Sequence, residues 1–322
     1  MKKSKGFTVA VFLCFVLITG LIMSQAAQGA EAINIATAGI GGTYYPVGSA
    51  IAKIISKYVE GATGTAEVTG AAVENVRLLG RKKVRLAFVE PTFAGIRAYQ
   101  GRDPFDEKID IRMVARLHWT LFTPVVLKKS GIKKITDLKG KRCSVGRKGS
   151  STVKITANVL KAYGLSFDDI DVRYLGHSEA ADGLRDGSLD MAVIVGAPPA
   201  AAVMSIATTH AIDIVSIDEE KIEQLKAMDP SVPVYKLPKG TYRRVDRDCL
   251  VPLGGTTLMC RPEEKDELIY NILKAIDDHR DILWDSHPAA KVITLEGQTT
   301  DVGIPFHPGA IKFYKDKGVW KR

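Results

Sequence analysis

The chain carries one order of segments twice. Apolar runs that read as β-strands begin at residues 33, 65 and 84, and again at 142, 171 and 189. In each half the first run enters a glycine-containing loop and then a stretch with apolar residues at helical spacing. Residues 33–38 lead into Gly39-Ile40-Gly41-Gly42-Thr43-Tyr44-Tyr45-Pro46, after which Ile51, Ile54, Ile55, Tyr58 and Val59 share one helical face. Strands over 65–69 and 84–90 follow, with a short helix over 73–79 between them. In the second half, residues 142–146 lead into Arg147-Lys148-Gly149-Ser150-Ser151-Thr152 and a helix carrying Ile155, Val159, Leu160 and Tyr163. Strands over 171–175 and 189–196 then flank a short helix over 180–184. A duplication of this kind predicts two similar α/β lobes rather than one core. Each lobe sets a helix N-terminus at the carboxyl end of its first strand, so facing lobes can close on a small ligand.

Two further strands, 121–128 and 250–260, are expected to cross between the lobes and form a hinge. The predicted organisation is therefore a leader over 1–30, lobe 1 over 31–122 with 250–322 returning to it, and lobe 2 over 123–249. A chain of about 290 residues after the leader fits two lobes better than one compact core. Residues 262–283, with Leu268, Ile269, Ile272, Leu273 and Ile276 on one face, read as a single long helix.

The leader has Lys2, Lys3 and Lys5 before an apolar stretch over 7–23, with small residues Ala26, Ala27, Gly29, Ala30 and Ala32 beyond it. That pattern predicts export to the periplasm with cleavage after Gly29, Ala30 or Ala32; an uncleaved anchor is the competing reading. Cleavage through Ala30 removes three lysines and no acid, lowering the net charge from +9 to +6. A mildly basic protein favours anionic ligands by long-range steering. The basic clusters, such as Arg81-Lys82-Lys83-Arg85, lack interleaved aromatics, so they read as solvated surface and no nucleic-acid partner is expected. The three cysteines after the leader, Cys143, Cys249 and Cys260, form no metal-ligand spacing. Either Cys249 pairs with Cys260 or all three are buried thiols. The six histidines stand alone, without a nucleophile elbow or a metal pattern, so neither catalysis nor a metal or other cofactor is predicted. His307, in His307-Pro308-Gly309-Ala310, reads as structural.

Candidate ligand-binding residues follow from the strand ends and helix starts. Gly41 and Gly42 let backbone approach a ligand, Thr43 can cap the helix, and Tyr44 can wall a pocket. The loop opens like a dinucleotide fingerprint, but position 44 is tyrosine where the third glycine belongs. Ser150, Ser151 and Thr152 supply hydroxyls and free N–H groups suited to a carboxylate or phosphate. Glu90 and Pro91 close the third strand of lobe 1, and Ala197 and Pro198 follow that of lobe 2. Glu90 is expected to accept from an ammonium or hydroxyl group of the ligand. Glu74 and Asn75 begin the short helix of lobe 1 and offer further side-chain hydrogen bonds.

The run from Gly41 to Gly48, with Val73-Glu74-Asn75-Val76-Arg77-Leu78-Leu79, resembles the TAXI family of solute receptors in tripartite (TRAP) transporters. So do Asp137-Leu138-Lys139-Gly140-Lys141-Arg142, residues 149–152 and the closing His307-Pro308-Gly309-Ala310. The resemblance spans essentially the whole mature chain. It implies a type II-like two-lobed periplasmic-binding-protein fold and a receptor without catalytic activity. It also implies a small carboxylate ligand, a TRAP-type permease as partner, and Tyr44, Asn75 and Ser150 to Thr152 at the ligand. Three departures fall at the expected cleft. This chain has Ala71-Ala72 where relatives have Gly-Ser, Glu90-Pro91-Thr92 where they have Gln-Ser-Asp, and Gly149-Ser150-Ser151-Thr152 where they have Gly-Ser-Gly-Thr. A ligand less polar than glutamate is the expectation. A sensory module serving a membrane kinase and a periplasmic enzyme on the same fold are the alternatives.

Overall fold

The computed structural model describes residues 30–228 and 233–321. The expected leader lies outside them, apart from its last residue. Among the described residues one mixed sheet of ten strands runs through the molecule, in the order β2-β1-β3-β10-β4-β7-β5-β6. Strands β1 (Glu31–Ala36), β2 (Ala62–Glu67) and β3 (Leu86–Val89) lie on one side. Strands β5 (Arg142–Ser144), β6 (Asp171–Arg173) and β7 (Met191–Gly196) lie on the other. In both triplets the first strand sits between the second and third and pairs with each in parallel. The duplication in sequence is thus a duplication in topology.

Long strands β4 (Arg112–Leu127) and β10 (Cys249–Cys260) join the triplets. Residues 112–121 of β4 pair antiparallel with 253–260 of β10, while 121–126 pair with β7. The β10 end from Thr257 to Cys260 pairs with β3, and its start pairs with β9 (Val234–Leu237). Strand β8 (Ile212–Ile214) adds to β4. Both crossing strands were expected; β4 simply begins nine residues earlier, because Arg112, Arg116 and His118 interrupt its apolar pattern. Gly254 and Gly255 lie in β10 opposite Thr120 and Trp119, and the register shifts before Thr257. Bulged, glycine-containing pairing is where a sheet bends most easily.

Helices cover the sheet: α1 (Tyr44–Tyr58) and α2 (Ala72–Gly80) in lobe 1, then α3 (Ser151–Ala162), α4 (His177–Asp186), α5 (Ala201–Thr209) and α6 (Glu219–Met228) in lobe 2. The helix expected over 262–283 is two, α7 (Asp266–Asp278) and α8 (Arg280–Ser286), which break at His279. His279 leaves helical geometry and stacks on Tyr58, ring centroids 3.4 Å apart. The last helix, α9 (Pro308–Asp316), explains the His-Pro-Gly-Ala motif. His307 Nδ1 accepts from Gly309 N–H, and its Nε2 donates to the Glu264 carbonyl at 3.0 Å. Gly309 lies so close to α7 that a Cβ there would stand 2.1 Å from the Asp266 carbonyl oxygen.

One apolar core draws on residues from Ile33 to Leu117 and from Leu258 to Tyr314. Two smaller cores draw on residues from Leu121 to Val251, joined by Phe93 from lobe 1. Cys143, Cys249 and Cys260 are buried and free, which settles the question of a Cys249–Cys260 bridge. Among the described residues no helix is long and apolar enough to cross a membrane, and no cluster of metal-ligating side chains occurs.

Candidate functional site

Strands β1 and β5 deliver their glycine loops to the same gap, so the starts of α1 and α3 face each other across the lobes. A cavity of about 60 Å³ lies there. Lobe 1 contributes Ala38, Gly39, Gly42, Thr43, Tyr44 and the turn Gly70-Ala71-Ala72, and Thr120 of β4 contributes from the hinge. Lobe 2 contributes Arg147, Ser150, Ser151, Thr152, Leu175, Gly176, His177, Val195 and Gly196. At roughly 10–15 Å³ per water centre, the space suits a ligand of a few non-hydrogen atoms unless the lobes part further.

The lobe 2 wall carries hydrogen-bond donors and one cation. Ser151 and Thr152 open α3, so their N–H groups have no intrahelical carbonyl to reach. Their side chains are buried at 5% and 4% exposure, and neither hydroxyl has a hydrogen-bond partner among the described residues. The Arg147 guanidinium crosses to lobe 1, packing where a Cβ on Gly39 would be 3.3 Å from its central carbon. Its ion pair with Glu179 is loose, at 3.6 Å, and that acid is largely exposed. Beside it, burial and the Arg147 charge push the His177 pKa down to about 4, so the imidazole is neutral at pH 7. His177 Nδ1 faces Val195 N–H at 3.5 Å.

The lobe 1 wall is mostly backbone and apolar surface. Gly41 meets the opposite lobe, where a Cβ would fall 2.0 Å from Ser178 Oγ and 3.1 Å from the Ser178 nitrogen. Tyr44 packs on Phe88 with ring centroids 5.3 Å apart, and burial together with the nearby Glu90 raises its pKa. Ala71 adopts φ 83° and ψ −156°, a region that costs a non-glycine residue about 1–3 kcal/mol.

Of the residues expected at the ligand, Gly42, Thr43, Tyr44, Ser150, Ser151 and Thr152 line the cavity. Thr43 caps α1 by position only, with no side-chain capping bond. The N–H groups of Gly42 and Ser150 already donate to the Gly39 and Arg147 carbonyls, so those two are not free for a ligand. Seven others do not line it. Gly41 belongs to the lobe seam. Asn75 is fully buried, with its amide donating to the carbonyls of Ala36, Thr37 and Phe88 and its oxygen accepting from Thr69. Glu74 turns back to accept from Gly70 N–H at 2.7 Å. Glu90 accepts from Thr92 N–H, the Thr92 hydroxyl and Phe93 N–H, capping the turn Pro91–Ile96. Burial raises its pKa despite those bonds. Pro91 is buried against Gly255 of the hinge. Ala197 and Pro198 lie past the cavity edge at Gly196, in the turn toward α5.

Sequence reasoning passed over Arg147 and His177. Arg147 stood inside the second glycine loop, and a cation beside an expected anion cradle was the available signal. His177 gains its meaning only from the fold, which brings α4 against Gly42 of the opposite lobe.

Solved proteins of similar fold include one from Bordetella bronchiseptica, with TM-score 0.52 and 18% identity, over 88% of this chain and 89% of that one. A putative L-cystine ABC transporter from Listeria monocytogenes matches with TM-score 0.50 and 13% identity, over 81% and 97%. An ABC uptake transporter substrate-binding protein from Streptococcus pneumoniae, with bound histidine, matches with TM-score 0.50 and 14% identity, over 82% and 94%. At these identities the likeness concerns the fold, which is the two-lobed periplasmic-binding-protein architecture. The NMT1-like family model matches residues 35–318, and the chain belongs to that family.

Proposed function

We propose that the protein is an extracytoplasmic solute receptor that binds a small organic acid between its lobes and delivers it to a membrane permease. The observation that carries this reading is the cavity itself. Two helix starts, one from each half of the repeat, face one gap, with Arg147 and two partnerless hydroxyls on its wall. Hinge strands β4 and β10 give the lobes a route to open and close around a ligand. The acid is held by the α3 N-terminus and Arg147 on one side and enclosed by the Gly39–Tyr44 loop on the other. No bond is made or broken in this role, and the protein is not an enzyme.

The partner we favour is a TRAP-type permease, on the strength of the Gly41 to Gly48 loop and the Val73 to Leu79 helix. Fold neighbours described as ABC-transporter proteins support a second reading, in which an ATP-driven permease takes the ligand. Thermal-shift screening of the leaderless protein against carboxylic acids tests the receptor role, because a ligand of the native state raises Tm. No shift with any acid, or turnover of a bound one, contradicts it. Uptake into vesicles with the permease, driven by an ion gradient or by ATP, separates the two partners.

A further inference from the structure

We propose that Arg147 is the charge that selects the ligand, and that the cleft takes an organic anion carrying no ammonium group, in preference to the amino acid of the same skeleton. This rests on the receptor reading above and narrows it to one chemical class.

The first observation is an imbalance of charge. Arg147 reaches into the cavity, and among the described residues no aspartate or glutamate lines it. The nearest acids are otherwise engaged. Glu74 folds back on Gly70 N–H, and Glu90 is buried in its own turn. Glu179, the partner of Arg147, accepts from Gly176 N–H at 2.7 Å and is more than half exposed. Arg147 is only partly buried, with 38% of its side chain exposed, and its one ion pair is loose, so a ligand carboxylate can complete it with charge-assisted bonds.

The second observation concerns acceptors. An ammonium group entering the cleft needs a carboxylate or several carbonyls to replace its water. Several loop carbonyls at or beside the cavity already accept a bond. Gly39 receives Gly42 N–H, and Arg147 receives Ser150 N–H and the Ser150 hydroxyl. Gly149 receives Val73 and Glu74 N–H, and Gly176 receives Ala180 N–H. An ammonium group would find no carboxylate among the described residues of the wall and would sit beside a guanidinium of like charge. The partnerless groups that remain, the Ser151 and Thr152 hydroxyls with the first N–H groups of α3, serve an oxyanion better than a cation.

Isothermal titration calorimetry on the leaderless protein tests this with matched pairs: 2-oxopropanoate against alanine, 2-oxobutanoate against 2-aminobutanoate, 2-oxoglutarate against glutamate, and ethanesulfonate against taurine. The expected result is that the ammonium-free member of the best-binding pair binds at least tenfold more tightly. Arg147→Gln should weaken that binding by tenfold or more, and Arg147→Lys should restore part of it, with thermal unfolding confirming that each variant folds. If Arg147→Gln does not fold, the Lys variant and the paired ligands still decide the matter. An amino acid that binds as tightly as its partner overturns the ligand class while leaving the receptor role intact. A folded Arg147→Gln protein with unchanged affinity overturns the role of Arg147. Failure of every pair to bind overturns both this proposal and the small-acid receptor reading beneath it.

Discussion

Replacing Asn75 with alanine separates a framework role from a ligand contact. The Asn75 amide holds the Thr37 and Phe88 carbonyls at 2.7 Å each and the Ala36 carbonyl at 3.3 Å, while its oxygen accepts from Thr69 at 2.6 Å. It therefore ties the carboxyl ends of β1 and β3 to α2 and fixes the platform from which the first glycine loop departs. Not every bond is lost outright on truncation. The Thr69 hydroxyl also reaches the Thr37 carbonyl at 2.9 Å, and with Asn75 gone its single proton can settle there. The Phe88 carbonyl keeps no such substitute from this network. One orphaned carbonyl at about 1–3 kcal/mol, with a further bond and some packing lost, puts the cost at about 3 kcal/mol. For a protein of this size that corresponds to a fall in Tm of roughly 6–12 °C. Differential scanning calorimetry without ligand measures the fall, and titration calorimetry at a temperature where the variant is folded measures affinity. The expected outcome is a large loss of stability and a change in Kd below about tenfold. A variant with wild-type Tm and abolished binding would refute the framework assignment and return Asn75 to the ligand.

Ser151→Ala with Thr152→Ala should leave the Tm of the empty protein nearly unchanged, since neither hydroxyl has a partner among the described residues, yet raise Kd about tenfold or more. Unchanged affinity in calorimetry would remove the α3 start from the site. Burial, together with Arg147, holds His177 at about 4, and burial, with His287 and Arg116, holds His118 at about 3, both below the ordinary 6.5. The unfolded chain binds these protons first, so their contribution is complete above pH about 6.5 and declines as pH falls toward 4. Tm should drop across that window, and His118→Asn with His177→Asn should flatten the slope between pH 6.5 and 4.5. Ala71→Gly should relieve the positive φ and raise Tm, with a net gain of about 1 kcal/mol after the added freedom of the unfolded chain. Gly309→Ala forces a methyl against the Asp266 carbonyl and should cost about 2 kcal/mol or more by urea unfolding.

The parts of the fold legible in the sequence are those that repeat or that carry a strong apolar pattern. The triplets β1 to β3 and β5 to β7, the buried faces of α1 and α3, and the crossing strands all announce themselves that way. The elements that were missed have weak patterns. Strand β8 is three residues long, α6 buries only Leu225, and the first half of β4 carries Arg112 and Arg116, which interrupt its apolar pattern. The single helix expected over 262–283 failed at His279 for a tertiary reason, because the stack on Tyr58 competes with helical geometry there.

The site divides along a different line. Gly42 and the α3 start line the cavity, and they could be picked out because strand ends and helix starts in such sheets face the gap between elements whatever the side chains are. The polar residues chosen around them were less reliable. Asn75, Glu74 and Glu90 sit at strand and helix ends, where backbone N–H and carbonyl groups also need partners, and in this fold the backbone claimed all three. Conversely, Gly41 read as room for a ligand, yet the structure fills the space above it with Ser178 of the other lobe, as it fills that above Gly39 with Arg147. Their lack of a side chain is a condition for the lobes to meet. If the protein is the receptor proposed above, Gly41→Ala should weaken ligand binding in titration calorimetry by holding the lobes apart at Ser178, though the added methyl does not line the cavity.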